Sequence, residues 1–136
     1  MEENNKHVQP NSKEEGVQRL NRILSESLIK ATDTYKTPPQ MIWVDKSSIA
    51  TLGNFSASTG KAKAKKTFNV SALVAASLAN GKVLNYRASL PEGKRKILYV
   101  DTEQSRYHCH NVLERTLKLA GLPTSIDNEN LDFICL

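Results

Sequence analysis

One octapeptide constrains this chain more than any other stretch: Gly60-Lys61-Ala62-Lys63-Ala64-Lys65-Lys66-Thr67. It follows a β-prone segment, Ile49 to Thr59, and opens an apolar helical segment, Phe68 to Ala79. Strand, basic loop and helix in that order is the layout of a phosphate-binding loop. The reference pattern G-x-x-x-x-G-K-[ST] is met at every position except the second glycine, which is Lys65. The layout matters because the N–H groups of a first helical turn lack partners and, with the positive end of the helix dipole, form an anion site. Lys66 is placed to reach the β- and γ-phosphates and Thr67 to put its hydroxyl on Mg²⁺. Lysine accepts a positive φ, or a close phosphate, less readily than glycine. The competing reading is a solvated basic loop ahead of an ordinary helix.

Charge is concentrated where the loop lies. The net charge of +5 divides unevenly: residues 61–96 hold nine Lys or Arg and one acid, Glu92, a local +8, and the rest of the chain carries −3. A polyanionic partner, nucleotide or nucleic acid, fits that distribution; a solvated surface is the alternative for the lysines outside the loop. With 136 residues and 39% apolar side chains, one packed domain is expected. Cys109 and Cys135 have no paired spacing, so neither a disulfide framework nor a zinc pattern is indicated, and a reducing cytoplasmic location is expected. The polar, acidic start, Met1 to Asn5, argues against a signal peptide, and the longest apolar run, Val70 to Ala79, is too short to span a bilayer.

The hydrophobic pattern orders the rest. Residues 1–12, polar and containing Pro10, read as a disordered tail. A helix is expected over 13–37, with Val17, Leu20, Ile23, Leu24, Leu28 and Ile29 on one stripe, a capping pair at Ser12 and Glu15, and an end forced by Pro38-Pro39. Met41 to Val44 reads as a short strand. Its Trp43 could stack on a base, although a lone Trp in such a run is more often core. Ser47 to Ser58 reads as one bent strand or two short ones, broken at Gly53-Asn54. The helix Phe68 to Ala79 closes at Asn80-Gly81, and Val83 to Tyr86 suggests a small strand or hairpin. Ile97 to Val100 is a continuous apolar run, the signature of a strand buried on both faces of a parallel sheet. A helix ending at Gly121-Leu122-Pro123 follows, and Leu131 to Leu136 reads as a further strand. The alternation predicts an α/β fold with a mostly parallel sheet and helices on both faces. In such sheets ligands sit beyond the carboxyl ends of the strands, where both the loop and the turn Asp101 to Ser105 would fall.

That acidic turn is the second candidate. A carboxylate at a strand's end can polarise water or hold Mg²⁺ through water; alternatively Asp101 caps the next helix and Glu103 is solvated, with Ser105 a plausible N-cap. His108 and His110 are two positions apart, about 200° around a helix, and so cannot readily share a metal ion. Nothing marks Cys109 as a nucleophile, and Lys94-Arg95-Lys96 on a turn reads as solvated.

Gly60 to Phe68 together with Ile97-Leu98-Tyr99-Val100-Asp101-Thr102-Glu103-Gln104-Ser105 resembles the RecA-like P-loop ATPases, and among them the RepA/DnaB/KaiC-like "AAA family ATPase" proteins of bacterial mobile elements and plasmids. That group often carries the relaxed loop G-K-A-K-x-x-K-T, which accommodates Lys65. The resemblance covers roughly residues 40–136 and implies a three-layer P-loop NTPase core. It implies ATP and Mg²⁺ as cofactors, with Gly60, Lys61, Ala62, Lys63, Ala64, Lys65, Lys66, Thr67 and Phe68 around the nucleotide. Thr67 would meet the metal, and Glu103 would be the catalytic glutamate that activates water. It further implies hydrolysis coupled to DNA handling in replication or mobilisation by a homo-oligomer, without a membrane. The chain departs from the family in showing no Walker B segment after Leu136, so a core truncated after about its third strand is expected. The alternative is a non-catalytic module in which the basic 61–96 segment grips nucleic acid or another polyanion.

Overall fold

Two short turns decide the larger sheet. β1 (Gln40–Val44) and β2 (Ser47–Thr51) are separated only by Asp45-Lys46, and β3 (Lys82–Val83) and β4 (Tyr86–Ala88) only by Leu84-Asn85. Two residues can reverse a chain but cannot make the crossover that parallel strands require. Asp45 (φ 51°) and Leu84 (φ 53°) both take the left-handed conformation that two-residue hairpin loops favour. The result is an antiparallel sheet of order β2-β1-β4-β3. The structure, a computed structural model, describes residues 12–61 and 63–136.

The chain divides into two units, Met1–Lys36 and Thr37–Leu136. In the first, α1 (Ser12–Ser27) stops short of the helix expected over 13–37: it carries Val17, Leu20, Ile23 and Leu24, all exposed, and leaves Leu28 and Ile29 beyond its end, exposed as well. Beyond it the Asp33 carboxylate accepts the Lys30 N–H and the Tyr35 hydroxyl, both at 2.9 Å. Such local side-chain bonds offer the backbone an alternative to continuing a helix. The tail expected over residues 1–12 lies outside the described residues, apart from Ser12.

In the second unit, α2 (Lys66–Ala79) lies against the antiparallel sheet. Ala75 and Ala76, both fully buried, meet Ile42, Val83 and Ala88, and their small side chains let helix and sheet approach closely. Asn80 ends α2 in the left-handed conformation, its N–H reaching back to Ser77 O at 3.2 Å, and the Gly81 N–H bonds Ala76 O at 3.2 Å. The expected cap is therefore present, with asparagine rather than glycine taking the left-handed position. The Asn80 side chain also accepts the Leu90 N–H at 2.6 Å, tying the segment that leaves β4 to the helix end.

β5 (Ile97–Asp101), α3 (Arg106–Leu119) and β6 (Leu131–Cys135) form a β-α-β unit, with Ile97 paired to Leu131 and Asp101 to Cys135 in a parallel ladder. Val74 of α2, Leu117 of α3 and Leu131 of β6 are the buried centre of its core, with Ile97, Tyr99 and Leu113 packed around them. Tyr99 and Phe133 stack across the ladder at 4.3 Å.

This architecture overturns the expected three-layer, mostly parallel RecA-like core. There are three helices, a four-stranded antiparallel sheet and a separate two-stranded parallel sheet among the described residues. The hairpin turns are one reason. A second is that Phe55 to Thr59, expected to be the strand feeding the loop, joins no ladder; the chain turns at Leu52-Gly53, where Gly53 has φ +84°, and stays irregular up to the loop. A third is that β5 is covered on one face only. Ile97 and Tyr99 face the helices, whereas Leu98 and Val100 are 62% and 45% exposed. A continuous apolar run says that a strand can be buried twice; what covers the second face depends on other segments.

Candidate phosphate-binding site

The loop is shaped by two left-handed lysines. Lys65 is the N-cap of α2, with φ 56° and ψ 27°, and Lys63 has φ 63°. The position where the reference pattern has its second glycine thus adopts the conformation that glycine favours, with a Cβ-bearing residue in it. The Ala64 N–H bonds Lys61 O at 3.2 Å, making a tight turn in the loop's middle, and the Asn69 N–H opens the helical ladder on Lys65 O at 3.1 Å. Ala62 lies outside the described residues.

At the mouth of α2 no side chain caps the helix and no acid stands in its first turn. The N–H groups of Lys66, Thr67 and Phe68 precede the helical ladder and so have no intrahelical acceptor. Lys66 folds back across the loop, its Nζ donating to the Gly60 carbonyl at 2.8 Å. The loop is closed tightly there: a Cβ added to Gly60 would stand 3.2 Å from the Ala64 Cβ. Lys61, Lys63, Lys65 and Lys66 are all exposed, and among the described residues none is in an ion pair. Thr67 is half-buried, its carbonyl accepting the Ser71 hydroxyl at 2.9 Å.

A fifth cation approaches from α3, which the sequence reading did not anticipate. The Arg115 guanidinium stands 5.8 Å from the Phe68 ring centre and donates to Ser71 Oγ at 3.3 Å, while its buried Nε has no partner. Arg115 is 44 positions beyond Ser71, and no local pattern links the two. The same packing orients the helices. Arg115 meets Ser71, Leu117 clusters with Val74, and Ala120 packs against the cluster that contains Ala75 and Ala76. The partners ascend together, so α2 and α3 run in the same direction and their N-termini share one end of the unit. The loop opens one of these helices and the acidic turn opens the other.

Within that turn Asp101 is buried and its carboxylate is occupied by donors of the two residues Glu103 and Gln104. Oδ1 accepts the N–H groups of Glu103 at 3.0 Å and Gln104 at 2.9 Å, and Oδ2 accepts Gln104 Nε2 at 2.7 Å. Burial pushes the Asp101 carboxyl up, but the donors from Gln104 and Glu103 outweigh it and hold the group below its ordinary value. Asp101 therefore folds the turn, and Glu103, exposed, is the carboxylate left facing solvent. Ser105 occupies the N-cap of α3 without a capping bond from its hydroxyl.

The weaker candidates are also placed. His108 and His110 are exposed, and no group of His, Cys, Asp or Glu able to hold a metal ion occurs among the described residues. Cys109 is buried, and its thiol is pushed up to about 11 by that burial, with a bond to Cys135 and the Asp101 charge acting in the same direction. Lys96 pairs with Asp132 at 3.2 Å on the surface, and Lys94 and Arg95 are exposed.

No family model matches this chain, and no curated protein or solved structure does. No described helix is long and apolar enough to cross a membrane.

Proposed function

We propose that Gly60 to Phe68 bind the phosphates of ATP together with Mg²⁺. One observation carries the reading: an uncapped, acid-free helix N-terminus is preceded by a left-handed loop, and a lysine at its first position reaches back over that loop. The donor set fits a polyphosphate, with free N–H groups at the mouth of α2 and four exposed cations around them. On phosphate binding, Lys66 exchanges the Gly60 carbonyl for phosphate oxygens, and Thr67 offers its hydroxyl to the metal. Mg²⁺, held there by Thr67, would supply neutralisation of phosphate charge. Glu103, at the same end of the helix pair, is the carboxylate available to orient a water.

The similarity to RecA-like ATPases of plasmids and mobile elements rests on these two motifs and not on the architecture. It supports a role in DNA replication or mobilisation, by an oligomer in the cytoplasm, as part of the same proposal. The second reading, a polyanion-binding module that uses the basic 61–96 segment without hydrolysis, is favoured by the exposed lysines of the loop, none of which is in an ion pair among the described residues.

A titration with a fluorescent ATP analogue and Mg²⁺, on wild type and on Lys66→Ala and Lys63→Ala, separates the two. Selective loss in Lys66→Ala supports the phosphate loop. Equal, modest losses in both variants would favour the polyanion module, because each lysine would then be one of several additive charges.

A further inference from the structure

We propose that the outer face of the antiparallel sheet binds single-stranded nucleic acid, with Trp43 and Arg87 as its stacking platform. Side chains alternate across a strand. Ile42, Val83 and Ala88 point inward onto α2, so Trp43, Lys82 and Arg87 point outward. The register aligns them in one row across three strands: Trp43 opposite Arg87, and Arg87 opposite Lys82.

The row is preorganised. The Arg87 guanidinium lies over the Trp43 ring, 3.8 Å from its centre, and the indole N–H donates to the Gln40 side chain at 3.2 Å. A guanidinium held over an indole presents its outward side as a surface on which a base can stack, and its remaining N–H groups to phosphate. Charge selects the occupant. None of the four strands contains an acidic residue. Among the described residues neither Lys82 nor Arg87 is in an ion pair. An aromatic side chain beside two cationic ones on an open sheet face fits a strand whose bases are unpaired, since a duplex hides the base faces. This surface belongs to other residues than the phosphate loop and does not depend on it.

Trp43 is the only tryptophan in the chain, so it reports on its own contact. The experiment titrates full-length protein with a thymidine 20-mer, following intrinsic fluorescence and the anisotropy of a labelled strand. Inorganic polyphosphate serves as a charge-only control. Quenching by the oligonucleotide but not by polyphosphate is expected. Trp43→Ala should weaken binding about tenfold, the scale of one base stack. Arg87→Gln should weaken both binding and quenching. Oligonucleotide binding without quenching, quenching by polyphosphate alike, or an unaltered affinity in a folded Trp43→Ala variant would each overturn the proposal. Absence of binding by wild type would overturn it too.

Discussion

Replacing Lys65 by glycine should make this protein more stable. Lys65 is exposed and holds φ 56°, ψ 27° at the start of α2. A Cβ-bearing residue in the left-handed region costs about 1–2 kcal/mol. Glycine removes that cost but adds unfolded-state entropy worth about 0.5–1 kcal/mol. The balance is a gain of about 0.5–1 kcal/mol, because Lys65 makes no ion pair among the described residues whose loss would offset it. In a domain of this size that is a rise of roughly 2–8 °C in Tm. Lys65→Ala is the control: it removes the same charge but keeps the Cβ, and should leave stability within about 0.5 kcal/mol of wild type. Urea unfolding followed by circular dichroism measures both. If glycine destabilises, or if alanine stabilises as much as glycine, the left-handed conformation is not the source of strain at this position. In the phosphate-loop reading Lys65→Gly also restores the missing glycine of the pattern, so it should bind the ATP analogue at least as tightly as Lys65→Ala.

Two further outcomes follow from the packing and the acidic turn. Leu117→Ala, at a position 5% exposed among Val74 and Leu131, should cost about 2–5 kcal/mol in urea unfolding, whereas Leu98→Ala, on the open face of β5, should change stability by less than about 0.5 kcal/mol; similar losses at both would contradict the one-sided burial of that strand. Because hydrogen bonds hold the Asp101 carboxyl below its ordinary value, its contribution is full above that value, about pH 4, and is lost as pH falls through the folded-state value. The stability gap between wild type and Asp101→Ala should therefore be constant from pH 7 to about 5 and narrow below about 4; a gap unchanged down to pH 3 would rule out the charged carboxylate as its origin.

Local chemistry was readable wherever a residue's own neighbours decide its conformation. The helix from the loop to Ala79, its stop at Asn80-Gly81, the hairpin within Val83 to Tyr86 and the strands at Met41, Ile97 and Leu131 follow from apolar spacing and turn residues, and the structure has each of them. The loop was legible for the same reason: a run of lysines before an apolar helix, lacking an acid in its first turn, leaves the helix mouth open to an anion.

Pairing was not readable in the same way. An alternating order of helices and strands suggested a parallel sheet, yet the turns Asp45-Lys46 and Leu84-Asn85 fold their flanking strands back on themselves, and Phe55 to Thr59 joins no ladder. Burial on one face or two looks identical in an apolar run, since it depends on what another segment places above it. Arg115 reaches Ser71 of α2 across 44 positions, and Trp43, Arg87 and Lys82 align only because three strands pair in one register. The sequence by itself determined most of the elements, the basic loop and the acid-free start of its helix, because these depend on interactions a few residues apart. The tertiary structure alone decided which strands pair, which faces stay open and which distant cations meet, because those depend on the closing of long loops, to which local propensity is blind.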